Sequence, residues 1–262
     1  MKIHFHKYHG TGNDFILIDN RPGHFIHGSD FIRNLCDRHT GIGADGLILL
    51  NASPGHDFSM VYYNSDGEEG TMCGNGGRCA AAFAGRLGMT GNDVHFMAVD
   101  GDHEALILGI RGNVTMVRLR MNDVSLIREE KNCFVIDTGS PHYITFVRNV
   151  RDIDIYREGR DIRFSGRYGE KGINVNFVGE DEDPVFVRTY ERGVENETLS
   201  CGTGIIAAAI AVNIKNGLQP SPLTINTLGG EMKVHYCPAG SSFRDIWLEG
   251  PATAVFEGKM TG

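Results

Sequence analysis

Two cysteines stand where a thiol can do acid–base chemistry. Cys73 opens the run Cys73-Gly74-Asn75-Gly76, Cys201 opens Cys201-Gly202-Thr203-Gly204, and each run leads into an alanine-rich stretch that reads as a helix. Backbone N–H groups at the start of a helix lack intrahelical partners, and the macrodipole adds roughly half a positive charge there. A thiol in that position is expected to gain thiolate character. The glycines let the backbone approach an anion such as a substrate carboxylate. Because the arrangement occurs twice, it suggests two thiols facing one ligand across a pseudo-two-fold axis. Inverting a carbon centre needs such a pair. A thiolate removes the proton from one face and a thiol delivers one to the other, while N–H groups stabilise charge building on the carboxylate. That chemistry requires no cofactor, and none of the usual cofactor motifs is present.

Plainer readings compete. A lone cysteine is more often a small buried hydrophobe, and that reading stands for Cys36, Cys79, Cys133 and Cys237, none of which opens a Gly-x-Gly turn. Cys36 with His39, and Cys73 with Cys79, offer soft ligands, but not at the usual structural zinc spacings. Gly202-Thr-Gly-Ile-Ile-Ala207 fits a dinucleotide fingerprint literally. The polar run Glu195–Ser200 before it is no buried strand, however, and the first acidic residue downstream is Glu231. His4 and His6 share one face of a strand, as alternation requires, and no metal is read there.

Short β-branched runs must position these residues: Phe15–Asp19, Gly46–Leu50, Phe58–Tyr63, Val94–Val99, Val114–Leu119, Cys133–Asp137, Tyr143–Val147, Val185–Tyr190 and Leu223–Thr227. Helical patterning is confined to Asp30–Asp37, Arg78–Leu87 and Ile205–Asn216. The two Cys-Gly-x-Gly runs lie 128 residues apart, and the same offset sets Gly101-Asp102-His103 on Gly229-Gly230-Glu231. The sequence therefore reads as a duplication: two similar α/β units of about 120–130 residues, each built from strands around one alanine-rich helix.

Composition narrows the class. With 262 residues, one large domain or two small ones are open, and 41% hydrophobic residues can build a core. Lys+Arg 25 against Asp+Glu 33 gives a net charge of −8, which argues against nucleic-acid or anionic-membrane partners. Six cysteines are too few for a disulfide scaffold. No apolar run is long enough to span a bilayer, and the N-terminus lacks a signal or transit pattern, so reduced thiols in the cytoplasm are expected. Glycine, at 35 residues, implies many tight turns and close backbone approaches.

On these residues the chain resembles the diaminopimelate epimerase family. The resemblance runs through His9–Phe15, Asp37–Asp45, Tyr63–Gly67, Met72–Cys79, Gly139–His142, Tyr190–Gly193 and Cys201–Gly204. It implies an α/β (α+β) fold of two pseudo-symmetric domains, each a strongly curved, mostly antiparallel sheet or barrel around a central Ala-rich helix, with the active site in the cleft between them. The expected domains are 1–120, with the last strand at about 251–262 returning to it, and 121–250. The implied activity is cofactor-independent conversion of LL- to meso-2,6-diaminopimelate, in lysine and cell-wall precursor synthesis, by a cytoplasmic homodimer acting on a small-molecule substrate.

Carried over residue by residue, Cys73 and Cys201 match the acid/base thiols. Gly74, Asn75, Gly202 and Thr203 would bind the reacting α-carboxylate. Asn13, Asn64 and Asn174 match substrate-contacting asparagines, with Asn176 a rival for the last. Arg192 would hold the distal carboxylate, which suits a guanidinium fork. Glu191 and His142 would orient the reacting ammonium and support proton transfer. Two positions depart from the family pattern: Gly46 where many members have glutamine, and Ser140 where they have asparagine. A proline or hydroxyproline racemase would share the thiols but has no need of Arg192. A non-catalytic thiol- or zinc-binding protein is the alternative from another class.

Overall fold

The computed structural model describes residues 2–180, 182–217 and 220–261; Met1 and Gly262, the ends of the expected first domain, lie outside the described residues. The chain divides into two compact units, residues 1–120 with 250–262, and residues 121–249.

In the first unit β1 (Lys2–Gly10), β2 (Asn13–Asp19), α1 (Ser29–Cys36), β3 (Gly46–Asn51), β4 (Phe58–Asn64), α2 (Gly74–Arg86), β5 (Asp93–Ala98), β6 (Gly101–Arg111) and β7 (Val114–Met121) follow in order. The strands are neighbours in chain order from β1 to β7. Residues 253–261 then pair antiparallel with β1, from His9↔Thr253 to Lys2↔Thr261, so the last strand lies beside the first. The result is a barrel around α2, whose residues Asn75 to Ala84 are all buried. Alanine suits that place because a small side chain lets strands approach a helix on every side.

The second unit repeats the plan. It holds β8 (Ile127–Glu130), β9 (Cys133–Asp137), β10 (Pro141–Val147), a short 3-10 turn, α3 (Ile155–Arg163), β11 (Asn174–Gly179), β12 (Val185–Glu191), β13 (Asn196–Thr198), α4 (Gly202–Asn216), β14 (Leu223–Thr227) and β15 (Gly230–Ala239). The first part of β16 (Ser242–Thr261) completes it. Residues Ile205–Val212 of α4 form the core with Ile136, Ile144, Val187, Val234 and Leu248.

The duplication holds its register through the strands. β2 and β10, β3 and β11, and α2 and α4 begin at residues 13 and 141, 46 and 174, and 74 and 202, all 128 apart. The parallel pairs recur as well: β2 with β3 and β4 with β5 in one unit, β10 with β11 and β12 with β14 in the other. The mixed α/β barrel with a central alanine-rich helix is thus present in both units.

Two expectations from patterning shift. The helices read from Arg78 and from Ile205 begin at Gly74 and Gly202, because the glycine-rich runs form the first helical turn. Strands β1, β6, β8, β11, β13 and β15, the first part of β16, and helix α3 lie outside the runs that patterning picks out. They carry charges, histidines and glycines that blur the alternation used to find strands.

Candidate active site

Each cysteine sits at the N-cap of its unit's buried helix. Cys73 has φ −107 and ψ 125, and Cys201 has φ −114 and ψ 111, so both are extended residues at which a strand-like segment meets the helix. Neither side chain caps its own helix. The N–H groups of the first turn are donors of the kind a carboxylate uses.

In the first unit the sequence-predicted residues Asn13, Cys73, Gly74 and Asn75 come together. The Cys73 Sγ lies 3.6 Å from Asn13 Oδ1, which also accepts from Asn75 Nδ2 at 3.4 Å. Asn13 is oriented from behind, its Nδ2 donating to Asp45 Oδ2 at 2.7 Å. Asp45 belongs to a cluster that patterning missed. Lys7 pairs with Asp14 at 2.6 Å and donates to the Gly43 carbonyl, and Arg38 reaches both Asp14 and Asp45 at 2.7 Å. Burial works against the Asp14 carboxylate, but hydrogen bonds from Arg38 and Lys7 outweigh it and hold the group well below the usual carboxylate range.

A second missed residue is Arg78, fully buried on the first turns of α2. Its guanidinium donates to Asn75 Oδ1 at 2.8 Å and to the Gly74 carbonyl at 3.4 Å, so it pins the two residues after the cysteine. Burial lowers its pKa to about 10. An arginine inside an alanine-rich helix carries no periodic signal; Arg78 lies in the Met72–Cys79 run, but the run alone gives it no role.

Asn64 ends β4, in register with Gly46, which is in register with Phe15. Gly46 is not simply a missing side chain. A Cβ built there would come within 2.4 Å of the Tyr63 carbonyl and 2.5 Å of the Tyr62 ring. Tyr62 therefore fills the space, packing edge-on to Phe15 at 5.9 Å.

In the second unit Cys201 Sγ lies 3.5 Å from Thr203 Oγ1, which lies 3.0 Å from His142 Nε2. His142 is fully buried, and its Nδ1 faces Asn176 Nδ2 at 3.0 Å. Burial first, then the charge of Arg192, lowers its pKa to about 3, so the ring is neutral at physiological pH. With both nitrogens engaged beneath Thr203, His142 reaches the thiol through that hydroxyl.

Asn174 and Asn176 separate cleanly. Asn174 Nδ2 donates to Ser140 Oγ at 2.9 Å, and its Oδ1 accepts the Arg192 backbone N–H at 2.9 Å. Arg192 Nη2 also reaches Ser140 Oγ at 3.4 Å. Serine at 140 thus receives two hydrogen bonds, and Asn174, Ser140 and Arg192 form one group. Glu191 accepts from Thr198 Oγ1 at 2.9 Å.

Among the described residues, one set of three metal-ligand types converges: His4, His6 and Glu257, with ligand atoms within 4.8 Å of one another. It includes neither helix-capping cysteine and none of their partners. No described helix is long and apolar enough to cross a membrane.

The fold defined by these units is shared with several solved structures. A Bacillus anthracis phenazine biosynthesis protein of the PhzF family superposes with a TM-score of 0.77 over 100% of both chains at 13% identity. A hydroxyproline epimerase from Agrobacterium vitis, solved with bound trans-4-OH-L-proline, gives 0.71 at 14% identity, over 99% of this chain and 92% of the other. These likenesses establish a shared two-domain α/β fold.

Sequence relationships are narrower. The diaminopimelate epimerase model matches residues 5–126 and 134–255. A diaminopimelate epimerase of Flavobacterium psychrophilum is 48% identical over 98% of this chain and 99% of its own length, and one of Chlorobaculum tepidum is 44% identical over 96% and 99%. The chain belongs to the diaminopimelate epimerase family.

Proposed function

We propose that this protein converts LL-2,6-diaminopimelate to the meso isomer by proton transfer at one α-carbon, with Cys73 and Cys201 as the two acid/base groups. One observation carries the reading: a family member of duplicated architecture has a cysteine at the N-cap of each buried helix.

In this reading the thiolate of one cysteine takes the α-proton, the C–H electron pair passes into the α-carboxylate, and the other cysteine's thiol gives its proton to the opposite face. Each sulfur ends in the other's starting state, so a proton must return before the next forward turnover. The N–H groups of Gly74, Asn75, Gly202 and Thr203 receive the charge that builds on the carboxylate. Arg192, oriented through Asn174 and Ser140, takes the distal carboxylate. Asn13 and Asn64 contact the substrate, and Glu191 holds the reacting ammonium. This route calls on no cofactor. The enzyme works as a cytoplasmic homodimer in the same proposal, and sedimentation equilibrium reads the dimer mass directly.

The test is proton NMR of the reduced protein with LL-diaminopimelate in D₂O. Deuterium at Cα with appearance of meso product supports the reading. Absence of exchange, from folded protein with free thiols, rejects it. Proline and hydroxyproline in parallel tubes separate the racemase alternative.

A further inference from the structure

A buried polar chain runs behind Cys201, and its hydrogen-bond directions can be worked out atom by atom. It begins at Asn176 on β11, which is fully buried. The Asn176 Nδ2 lies 3.2 Å from the Tyr143 backbone carbonyl, an atom that can only accept. The amide nitrogen must therefore face that side, where it also meets His142 Nδ1 at 3.0 Å. On the opposite side Asn176 Oδ1 accepts from Thr189 Oγ1 at 2.9 Å. Flipping the amide would set two oxygens 3.2 Å apart, so its orientation is fixed by chemistry.

The consequence passes through the imidazole. His142 Nδ1 receives a hydrogen bond and so carries no proton, and in the neutral ring the proton is on Nε2. That N–H donates to Thr203 Oγ1 at 3.0 Å. The Thr203 hydroxyl, already accepting on one side, has its own proton available for the Cys201 sulfur at 3.5 Å. A thiolate there is met by a donor.

We propose that Asn176 is a positioning residue for proton transfer at Cys201: by fixing His142 as the Nε2–H tautomer, it aims the Thr203 hydroxyl proton at the sulfur. Cys73 has a different neighbour, the Asn13 amide oxygen, an acceptor held in place by Asp45. The charged group facing the His142 ring is Arg192, from the turn after β12, and Glu191 beside it is engaged by Thr198. The ring's two nitrogens meet Asn176 and Thr203, both neutral groups.

The inference rests on Cys201 being an acid/base group, and its test needs no turnover. The ¹⁵N shifts of His142 report the tautomer, and iodoacetamide labelling followed by peptide mass spectrometry reports the pH profile of each cysteine. In the wild type His142 is expected as Nε2–H. Asn176→Asp replaces the donor with an acceptor, which draws a proton to Nδ1. The Cys201 labelling profile should then move by about one pH unit, a tenfold rate change at fixed pH, while the Cys73 profile stays. A wild-type Nδ1–H spectrum overturns the proposal. So does a folded Asn176→Asp protein with an unmoved Cys201 profile, or one in which both cysteines move together. If Asn176→Asp does not fold, Thr203→Val, which keeps the shape and removes the hydroxyl, must move the Cys201 profile alone. Absence of diaminopimelate exchange in the wild type would reject the epimerase reading without touching these results.

Discussion

Gly204, on the first turn of α4, stands where a Cβ would come within 2.4 Å of Asn176 Oδ1 and 3.3 Å of His142 Cε1. Helix and strand approach so closely there that the helix can carry no side chain, and the buried amide occupies the room. The second glycine of Cys-Gly-Thr-Gly is thus required by the residue behind the histidine.

Gly204→Ala should therefore disturb Asn176 before anything else. Overpacking of this kind costs about 1–3 kcal/mol, to be read as a lower urea midpoint with an unchanged slope. Activity should fall with the His142 ¹⁵N spectrum altered. Wild-type stability and an unaltered spectrum would show that the helix can shift to make room.

Removing either thiol should stop inversion. Cys73→Ala and Cys201→Ala are each expected to lose the 10²–10⁴-fold or so that a positioned acid/base group supplies, measured as meso product formed from the LL substrate. The thiolate that remains can still exchange the proton on its own face, so deuterium wash-in without inversion is the expected signature in D₂O. Two single variants with wild-type turnover would end the two-thiol mechanism.

The buried histidine makes stability depend on pH in a definite direction. Its folded pKa of about 3 lies below the reference value of 6.5. As pH falls below 6.5, the unfolded chain binds a proton that the folded protein refuses, so stability declines and the loss continues until the folded pKa is reached. The slope dies away about one pH unit above 6.5. Between pH 6 and 5 its share approaches about 1.4 kcal/mol per pH unit. Urea titrations of wild type and His142→Gln across that range should differ by this slope; parallel curves would contradict it.

Asp14 balances a buried lysine. Lys7 is 7% exposed and pairs with Asp14 at 2.6 Å, so Asp14→Asn should leave its charge poorly compensated, at a cost of about 3–5 kcal/mol. Because hydrogen bonds hold the Asp14 pKa below 3.8, the same stabilisation is present at neutral pH and fades as acid is added below pH 4 or so. A thermal melt of the variant at pH 7 that matches wild type would dismiss the pairing.

Gly46→Gln, a change toward the pattern of many relatives, should not restore a contact here. The new Cβ would meet the Tyr63 carbonyl and the Tyr62 ring at 2.4 and 2.5 Å, and the backbone atom among these cannot move aside cheaply. Destabilisation of about 1–3 kcal/mol is expected by calorimetry, and Tyr62→Ala should relieve only the ring's part of it.

Much of this protein is written in local pattern. The 128-residue offset between two Cys-Gly-x-Gly runs fixed where both buried helices begin to within a turn, and β-branched alternation located nine strands, since side-chain periodicity follows directly from backbone geometry. Family membership was legible as well, because the motifs that carry it are contiguous. What tertiary structure alone decided is how the polar residues pair. Asn174 and Asn176 are two apart on one strand and indistinguishable as letters; register with β10 and β12 gives one to Ser140 and Arg192 and buries the other beneath His142. Lys7 lies outside every motif, and Asp45 and Arg78, though inside motif runs, show no role as letters; their roles arise from neighbours up to tens of residues away in the chain. Burial makes every such pairing obligatory, since an unpaired polar group in the interior costs more than a local propensity can supply, and burial is a property that only the folded chain possesses.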